Sequence, residues 1–285
     1  MKKSTIIIGC ILVVLGAAAG YFATKCCTAP KRTLTILHTN DTHSHMEPIR
    51  SGEHAGLGGV LERAAYIDSV RKADGPENVL LLHGGDFSQG TTYFSEFRGK
   101  VENEVMNALG YDAVTLGNHE FDNGLEALGE RLASLNAPVL VCNYDFSPFE
   151  AGKYIKPYIV VEKAGMKIGI IGATCNLKDV VSAEIVNRLP EFDFVETVQK
   201  YVDQLRPECD LIVLLTHLGY EPHLPGNTTD PIMAAATRGV DIIVGGHSHT
   251  FMDEPDWVPN LDGKPVPVVQ AGEWGVNMGE FHVTK

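Results

Sequence analysis

The chain has 285 residues, 44% apolar and 21% charged, with a formal net charge of -13. That is the make-up of an ordinary globular protein with enough chain for one large core or two small ones. The acidic balance speaks against binding driven by attraction to nucleic-acid backbones or anionic membrane surfaces.

Lys2 and Lys3 lead into residues 4–24, which carry no charge and are rich in Ile, Val, Leu and Ala. A basic start followed by an apolar run reads as an export signal, with Ala17-Ala18-Ala19 as a small-residue cleavage pattern. The run is also close to the roughly 20 residues that span a bilayer, so cleavage and retention as an anchor both stay open. Cys26-Cys27 raises lipidation, which Lys25 disfavours. The expected location is exported, periplasmic or otherwise extracytoplasmic, with residues 25–32 as a linker and 33–285 as one folded domain. The six cysteines form no Cys-x-x-Cys pair. Cys10 falls in the export segment, Cys142 and Cys175 end apolar strands as small buried thiols, and Cys209 lies in a turn.

Apolar runs and helical stretches then alternate. Leu34 to Leu37 reads as a strand ending near Asp41, and Gly59 to Val70 as a helix through Val60, Leu61, Ala64 and Ile67. Asn78 to Leu82 is a buried strand entering Gly84-Gly85-Asp86. Val101 to Leu109 is a helix closed by Gly110. Ala113 to Leu116 is a strand, Leu125 to Leu135 a helix and Pro138 to Val141 a strand. Tyr158 to Val161 and Met166 to Ile171 flank Lys163-Ala164-Gly165 as a hairpin. Phe192 to Leu205 is a helix, Leu211 to Leu215 a strand ending at Thr216-His217, and Ile232 to Ala236 a short helix. Ile242 to Val244 enters Gly245-Gly246-His247-Ser248-His249, and Val266 to Gln270 and Gly279 to Val283 finish as strands. The hairpin rules out a purely parallel sheet. A mixed α/β domain with two stacked sheets and helices outside is predicted.

Polar groups recur at one structural place, the C-terminal ends of apolar strands: Asp41 and His43, Asp86, Asn118 and His119, His217, and His247 and His249. Ligands collect at that edge in α/β sheets. Asp-x-His and Gly-Asp alone are ordinary turn chemistry and a lone His217 is ordinarily structural, while Gly-His-Ser-His points more strongly to metal; their repetition across five strands is not ordinary. Carboxylate mixed with imidazole suits Mn, Fe, Zn or Co rather than Ca or Mg alone. Seven such groups exceed what one catalytic zinc takes, whereas two metals sharing a carboxylate would use them all. The glycine pairs before Asp86 and His247 allow close backbone approach. His45 and His83 are candidates to support the cluster, while His38 and His223 read as structural.

Asn40-Asp41-Thr42-His43, Gly85-Asp86, Gly117-Asn118-His119-Glu120, Thr216-His217 and Gly246-His247-Ser248-His249 resemble the calcineurin-like metallophosphatases. The text from Leu37 to His45, from Gly117 to Asp122 and from Val269 to Gly275 resembles the 5′-nucleotidase branch. The resemblance implies a four-layer αββα sandwich of two mixed β-sheets flanked by helices, with two divalent metal ions. It implies Asp41, His43 and His249 at one ion, Asn118, His217 and His247 at the other, and Asp86 bridging. Some relatives place Gln at the position of His249. A hydroxide activated by the two metals would attack phosphorus in line. Asn118 and His119 would contact the phosphate, Asp122 would orient His119 for catalysis, and Glu120 would be structural. Relatives carry a C-terminal nucleotide-binding domain that stacks the base; this chain is expected to lack one. Three readings follow. The chain is a 5′-nucleotidase-like hydrolase of nucleotide 5′-monophosphates whose base-binding domain is a separate polypeptide or lost. Or it is a stand-alone phosphatase or 2′,3′-cyclic-nucleotide phosphodiesterase. Or it is a noncatalytic membrane-tethered metal-binding subunit.

Overall fold

Long runs of Leu, Ile and Val without polar alternation make strands that must be covered on both faces, and two such sheets dominate the chain. The computed structural model describes residues 33–222 and 224–285, so the predicted export segment and linker, with Cys10, Cys26-Cys27 and His223, lie outside the described residues. No helix among the described residues is long and apolar enough to cross a membrane.

The first sheet contains β1 (Thr33–Thr39), β2 (Val79–His83), β3 (Ala113–Thr115), β4 (Val139–Leu140), β5 (Ile155–Lys156) and β12 (Gly279–Thr284). Its order is β12-β1-β2-β3-β4-β5, parallel throughout except for the β12–β1 pair. The second contains β6 (Tyr158–Lys163), β7 (Met166–Ala173), β8 (Leu211–Thr216), β9 (Ile242–Val244), β10 (Asp256–Pro259) and β11 (Pro265–Val269). Its order is β10-β11-β9-β8-β7-β6, with antiparallel pairs only at the two edges. The predicted hairpin is the β6–β7 edge.

The two-residue period of a strand divides each one between two cores. Leu34 and Ile36, Leu80 and Leu82, Leu211, Val213 and Leu215, and Ile242 and Val244 share one cluster between the sheets. Their neighbours Leu37, Val79, Leu81, Ile212, Leu214 and Ile243 belong to a second cluster, with helix residues. Those helices are α1 (Val60–Asp74), α2 (Thr92–Phe97), α3 (Lys100–Leu109), α4 (Gly124–Leu132), α5 (Ala183–Val186), α6 (Phe194–Leu205) and α7 (Asp230–Ala236). α1 packs on β2, α6 on β7, and α7 on β10 and β11. The result is the four-layer αββα sandwich.

Gly110 ends α3 in the left-handed conformation, at φ 70°. Asp193 caps α6, its Oδ1 accepting from the Glu196 amide at 2.8 Å, so that helix begins two residues later than its apolar pattern suggests. α2, α5, β5 and β10 have no counterpart in the predicted elements. Each is too short to display a period, and β10 ends on Pro259, as only an edge strand tolerates.

The sheets meet backbone to backbone at their C-terminal edges. A Cβ added to Gly84 would lie 2.6 Å from the Gly245 carbonyl oxygen, and one added to Gly246 would lie 2.6 Å from that of Gly84. This seam draws the loops after β1, β2 and β3 against those after β8, β9 and β11.

Candidate metal centre

Every predicted strand-end group lies on these loops. Asp41 and His43 follow β1, Asp86 follows β2, Asn118 and His119 follow β3, His217 follows β8, and His247 and His249 follow β9. Asp41, His43, Asp86, His247 and His249 all adopt positive φ, from 45 to 80°. Such backbone costs on the order of 1–3 kcal/mol per non-glycine residue and persists only where the surroundings impose it. The reward is convergence of short side chains from separate strands on one point.

Three overlapping groups bring ligand atoms within 4.8 Å of one another: Asp41, His43 and His249; His43, Asp86 and His119; Asp86, His217 and His247. Asp86 Oδ2 lies 3.2 Å from His217 Nε2 and 3.9 Å from His43 Nε2, so it faces both halves of the cluster. Asp41 Oδ1 lies 3.4 Å from His249 Nε2 and 3.8 Å from both His43 Nε2 and His217 Nε2. The other oxygen of each carboxylate is already engaged. Asp41 Oδ2 accepts from Asn40 Nδ2 at 2.7 Å and from the His247 amide at 2.9 Å, and Asp86 Oδ1 accepts from the His119 amide at 2.9 Å.

These residues fit divalent cations on an observation independent of their spacing. Asp41 Oδ1 and His217 Nε2 are buried polar atoms with no hydrogen-bond partner. His217 Nδ1 donates to the Gly84 carbonyl at 2.7 Å, which fixes the ring and aims the orphaned Nε2 into the cluster. Electrostatics agree. Burial raises the Asp86 carboxyl, but His217, His43 and His119 together outweigh it and hold the group well below the carboxylate range. Burial likewise opposes the charge on His217, yet Asp86 and Asp41 pull its pKa up to about 10. Asp41 is lowered by His217 and His249 against its own burial. A site that drags a proton onto a fully buried imidazole offers the same negative potential to a metal, which would displace that proton.

The turn from Gly117 to Asp122 separates into distinct tasks. His119 is about one-third exposed, and its Nδ1 meets Asp122 Oδ2 at 2.9 Å. Burial lowers its pKa, but the Asp122 hydrogen bond and the Asp86 charge more than offset that and raise it. Asn118 is buried, its Oδ1 3.9 Å from the Cys175 thiol. Glu120 faces the backbone: its carboxylate accepts from the amides of Asp86 (2.9 Å), Gly117 (2.7 Å) and Ser88 (3.1 Å). Arg131 locks this arrangement through Ser88 Oγ and the Glu120 carbonyl. Gly117 admits no side chain, since a Cβ there would fall 2.1 Å from Asp86 Oδ1.

Of the remaining histidines, His83 accepts from the Gly85 amide at 3.2 Å and meets Thr42 Oγ1 at 3.1 Å, bracing the loops after β1 and β2. His45 stacks on Trp274, ring centroids 5.1 Å apart. His38 is buried on β1. Cys142, Cys175 and Cys209 are buried free thiols.

Sequence reading passed over two supports. Glu273 Oε2 lies 2.7 Å from His249 Nδ1, leaving His249 Nε2 directed at the cluster. Asn40 ties the loops after β1 and β11, donating to the Gly272 carbonyl and accepting from the Ala271 amide. Asn40 and Glu273 stand in the motif text, but no periodicity marks a loop carboxylate as the partner of a histidine on another strand.

The calcineurin-like phosphoesterase family matches residues 34–251, and the chain belongs to that family. Similar sequences within it include 5′-nucleotidases. The snake venom 5′-nucleotidase of Gloydius brevicauda is 37% identical over 95% of this chain and 48% of its own length. The 5′-nucleotidase of Rattus norvegicus is 37% identical over 90% and 47%. Among solved structures, the 5′-nucleotidase precursor of Thermus thermophilus superposes with a TM-score of 0.77 at 38% identity, covering 88% of this chain and 51% of that one. A calcineurin-like phosphoesterase of Bacillus subtilis gives 0.71 at 25% identity, with 90% and 86% covered. The chain spans about half the length of the curated relatives it matches.

Proposed function

We propose that this domain hydrolyses phosphate monoesters, nucleoside 5′-monophosphates foremost, using two divalent cations drawn from Mn, Zn, Fe and Co. The observation that carries the reading is Asp86, one buried carboxylate facing His43 and His217 from the two halves of the cluster, with the His119–Asp122 pair open beside it. Relatives at 37% identity named as 5′-nucleotidases support the substrate class.

Asp41, His43 and His249 would hold one ion, Asn118, His217 and His247 the other, with Asp86 shared. Bound there, the ions would supply Lewis-acid charge and lower the pKa of the attacking water. The chain's own residues do the rest. His119, charged through Asp122, presents its Nε2 proton to a phosphoryl or leaving oxygen as negative charge builds there. Asp122 fixes the ring through Nδ1. Glu120 and Arg131 hold the backbone that sets the distance between His119 and Asp86.

Phosphate release from p-nitrophenyl phosphate, AMP and 2′,3′-cyclic AMP with added Mn²⁺ tests the reading. AMP should be turned over best, and Asp86→Ala and His119→Ala should both abolish release. A fully metallated protein that turns over no ester would sink it in favour of a noncatalytic subunit.

Export through residues 4–24 belongs to the same proposal, supported by Lys2, Lys3 and the uncharged run after them. N-terminal sequencing of protein from fractionated cells would locate a cleaved start at Gly20 or an intact anchor. Material confined to the cytosol would refute export.

A further inference from the structure

We propose that Gln270, backed by Asp230, is the positioning residue that sets the three histidines of the second sheet toward the metal ions. The inference rests on the two-metal reading above and adds to it the groups that hold His217, His247 and His249 in place.

Gln270 follows β11 and is 2% exposed, a burial that an amide side chain tolerates only with its donors and acceptor satisfied. Its partners fall on every second residue of one loop. Nε2 donates to the Gly246 carbonyl at 2.8 Å, and Oε1 accepts from Ser248 Oγ and from the Thr250 amide, both at 3.2 Å. His247 and His249 are the two residues between those contacts, so one side chain grips the loop on both sides of each histidine. The grip matters because both histidines hold left-handed backbone, φ 80° and 53°. A non-glycine residue keeps such backbone only where its surroundings impose it.

The sense of the amide is fixed by its partners. Nε2 faces two acceptors, the Gly246 carbonyl and, at 3.5 Å, Asp230 Oδ2. Oε1 faces two donors, and Ser248 Oγ is itself held by the Tyr220 amide, from which it accepts at 2.8 Å.

Asp230, fully buried, reaches the third histidine. Its Oδ1 accepts from Thr216 Oγ1 at 2.5 Å, and Thr216 immediately precedes His217. The Asp230 amide donates to the Gly219 carbonyl at 2.8 Å, two residues after His217. The fit leaves no room to slip: a Cβ at Gly245 would fall 2.0 Å from Asp230 Oδ2 and 3.2 Å from Gln270 Nε2. Asp230 joins none of the three groups of ligand atoms. The pair therefore acts through the histidines, as a group behind a metal ligand does.

Gln270→Glu keeps the shape of the side chain but turns the donor into an oxygen facing the Gly246 carbonyl and the Asp230 carboxylate. In calorimetric titration of the full chain with Mn²⁺, it should weaken both ions about 10- to 100-fold, because His249 and His247 serve different ions. With Co²⁺ at saturation, its visible absorption should shift in position and intensity from that of the parent chain. Loss of stability alone would leave that spectrum unchanged. Ser248→Ala removes one donor and adds no charge, and it carries the test if circular dichroism shows Gln270→Glu unfolded. It should shift the same band and weaken both ions about threefold. Folded variants whose Mn²⁺ affinities and Co²⁺ spectrum match the parent's would overturn the proposal and leave the hydrolytic reading standing. A parent chain that binds two Mn²⁺ without turning over any ester, beside variants that bind them weakly, would instead overturn the hydrolytic reading and leave the positioning role.

Discussion

The two sheets contribute unequally to the centre. The first delivers the charge, through Asp41 and Asp86, together with His43, Asn118 and the His119–Asp122 pair. The second delivers imidazoles, His217, His247 and His249, with Glu273 behind the last. The consequence shows in the titration behaviour: His217 on the second sheet is raised to about 10 by carboxylates belonging to the first. Neither sheet assembles the cluster alone, because both carboxylates come from the first and three of the imidazoles from the second.

That asymmetry can be broken from either side. The largest effect is expected from Asp86→Asn, which removes the carboxylate facing both halves. Loss of several kcal/mol of transition-state stabilisation corresponds to at least about a thousandfold in kcat/KM. Metal titration by calorimetry should show two-ion binding lost with the fold intact by circular dichroism. Next, Asp122→Asn should lower kcat by about a hundredfold, in the range of a lost general acid, with metal content unchanged. A parallel fall in metal content would place Asp122 in metal binding instead. On the second sheet, Glu273→Gln should weaken binding of one ion about 10- to 100-fold, the usual cost of losing a carboxylate behind a ligating histidine. Unchanged affinity would make the His249 contact incidental.

The last effect lies away from the centre and is read in stability rather than in activity or metal affinity. Burial lowers the pKa of His38 to about 4, so the folded state holds it neutral while the unfolded chain protonates near 6.5. Its contribution is full above pH 6.5 and is lost as pH falls toward 4, by up to about 3 kcal/mol. In metal-free protein, urea midpoints of His38→Gln should therefore vary less between pH 6.5 and 4 than those of the parent chain.

Much of this was legible in the residues. Strands such as Val79–His83 and Leu211–Thr216, buried on both faces, announce themselves as uninterrupted apolar runs. The groups that follow them, Asp86 and His217, then fall on one edge by topology alone. What escaped was local or long-range. Two- to six-residue elements such as β5 and α2 have no period to read. The Glu273–His249 pair links loops after two different strands, and the His45–Trp274 stack joins opposite ends of the chain, so only the sheet order reveals them. Glu120 was separable from Asp122 because the tight turn after β3 sends one carboxylate back to the amides of Gly117 and Asp86 and the other toward His119.

The seam of Gly84 against Gly245 and Gly246 has a consequence for synthesis. His43 and His249 are 206 positions apart, so a growing chain completes the first sheet's ligands long before their partners exist. Asp41 and Asp86 would be ionised, unpaired and open to whichever cation is nearby until the second sheet closes on them. Any metal captured there would then be selected by where and when the later part of the chain folds, as well as by the donor atoms themselves.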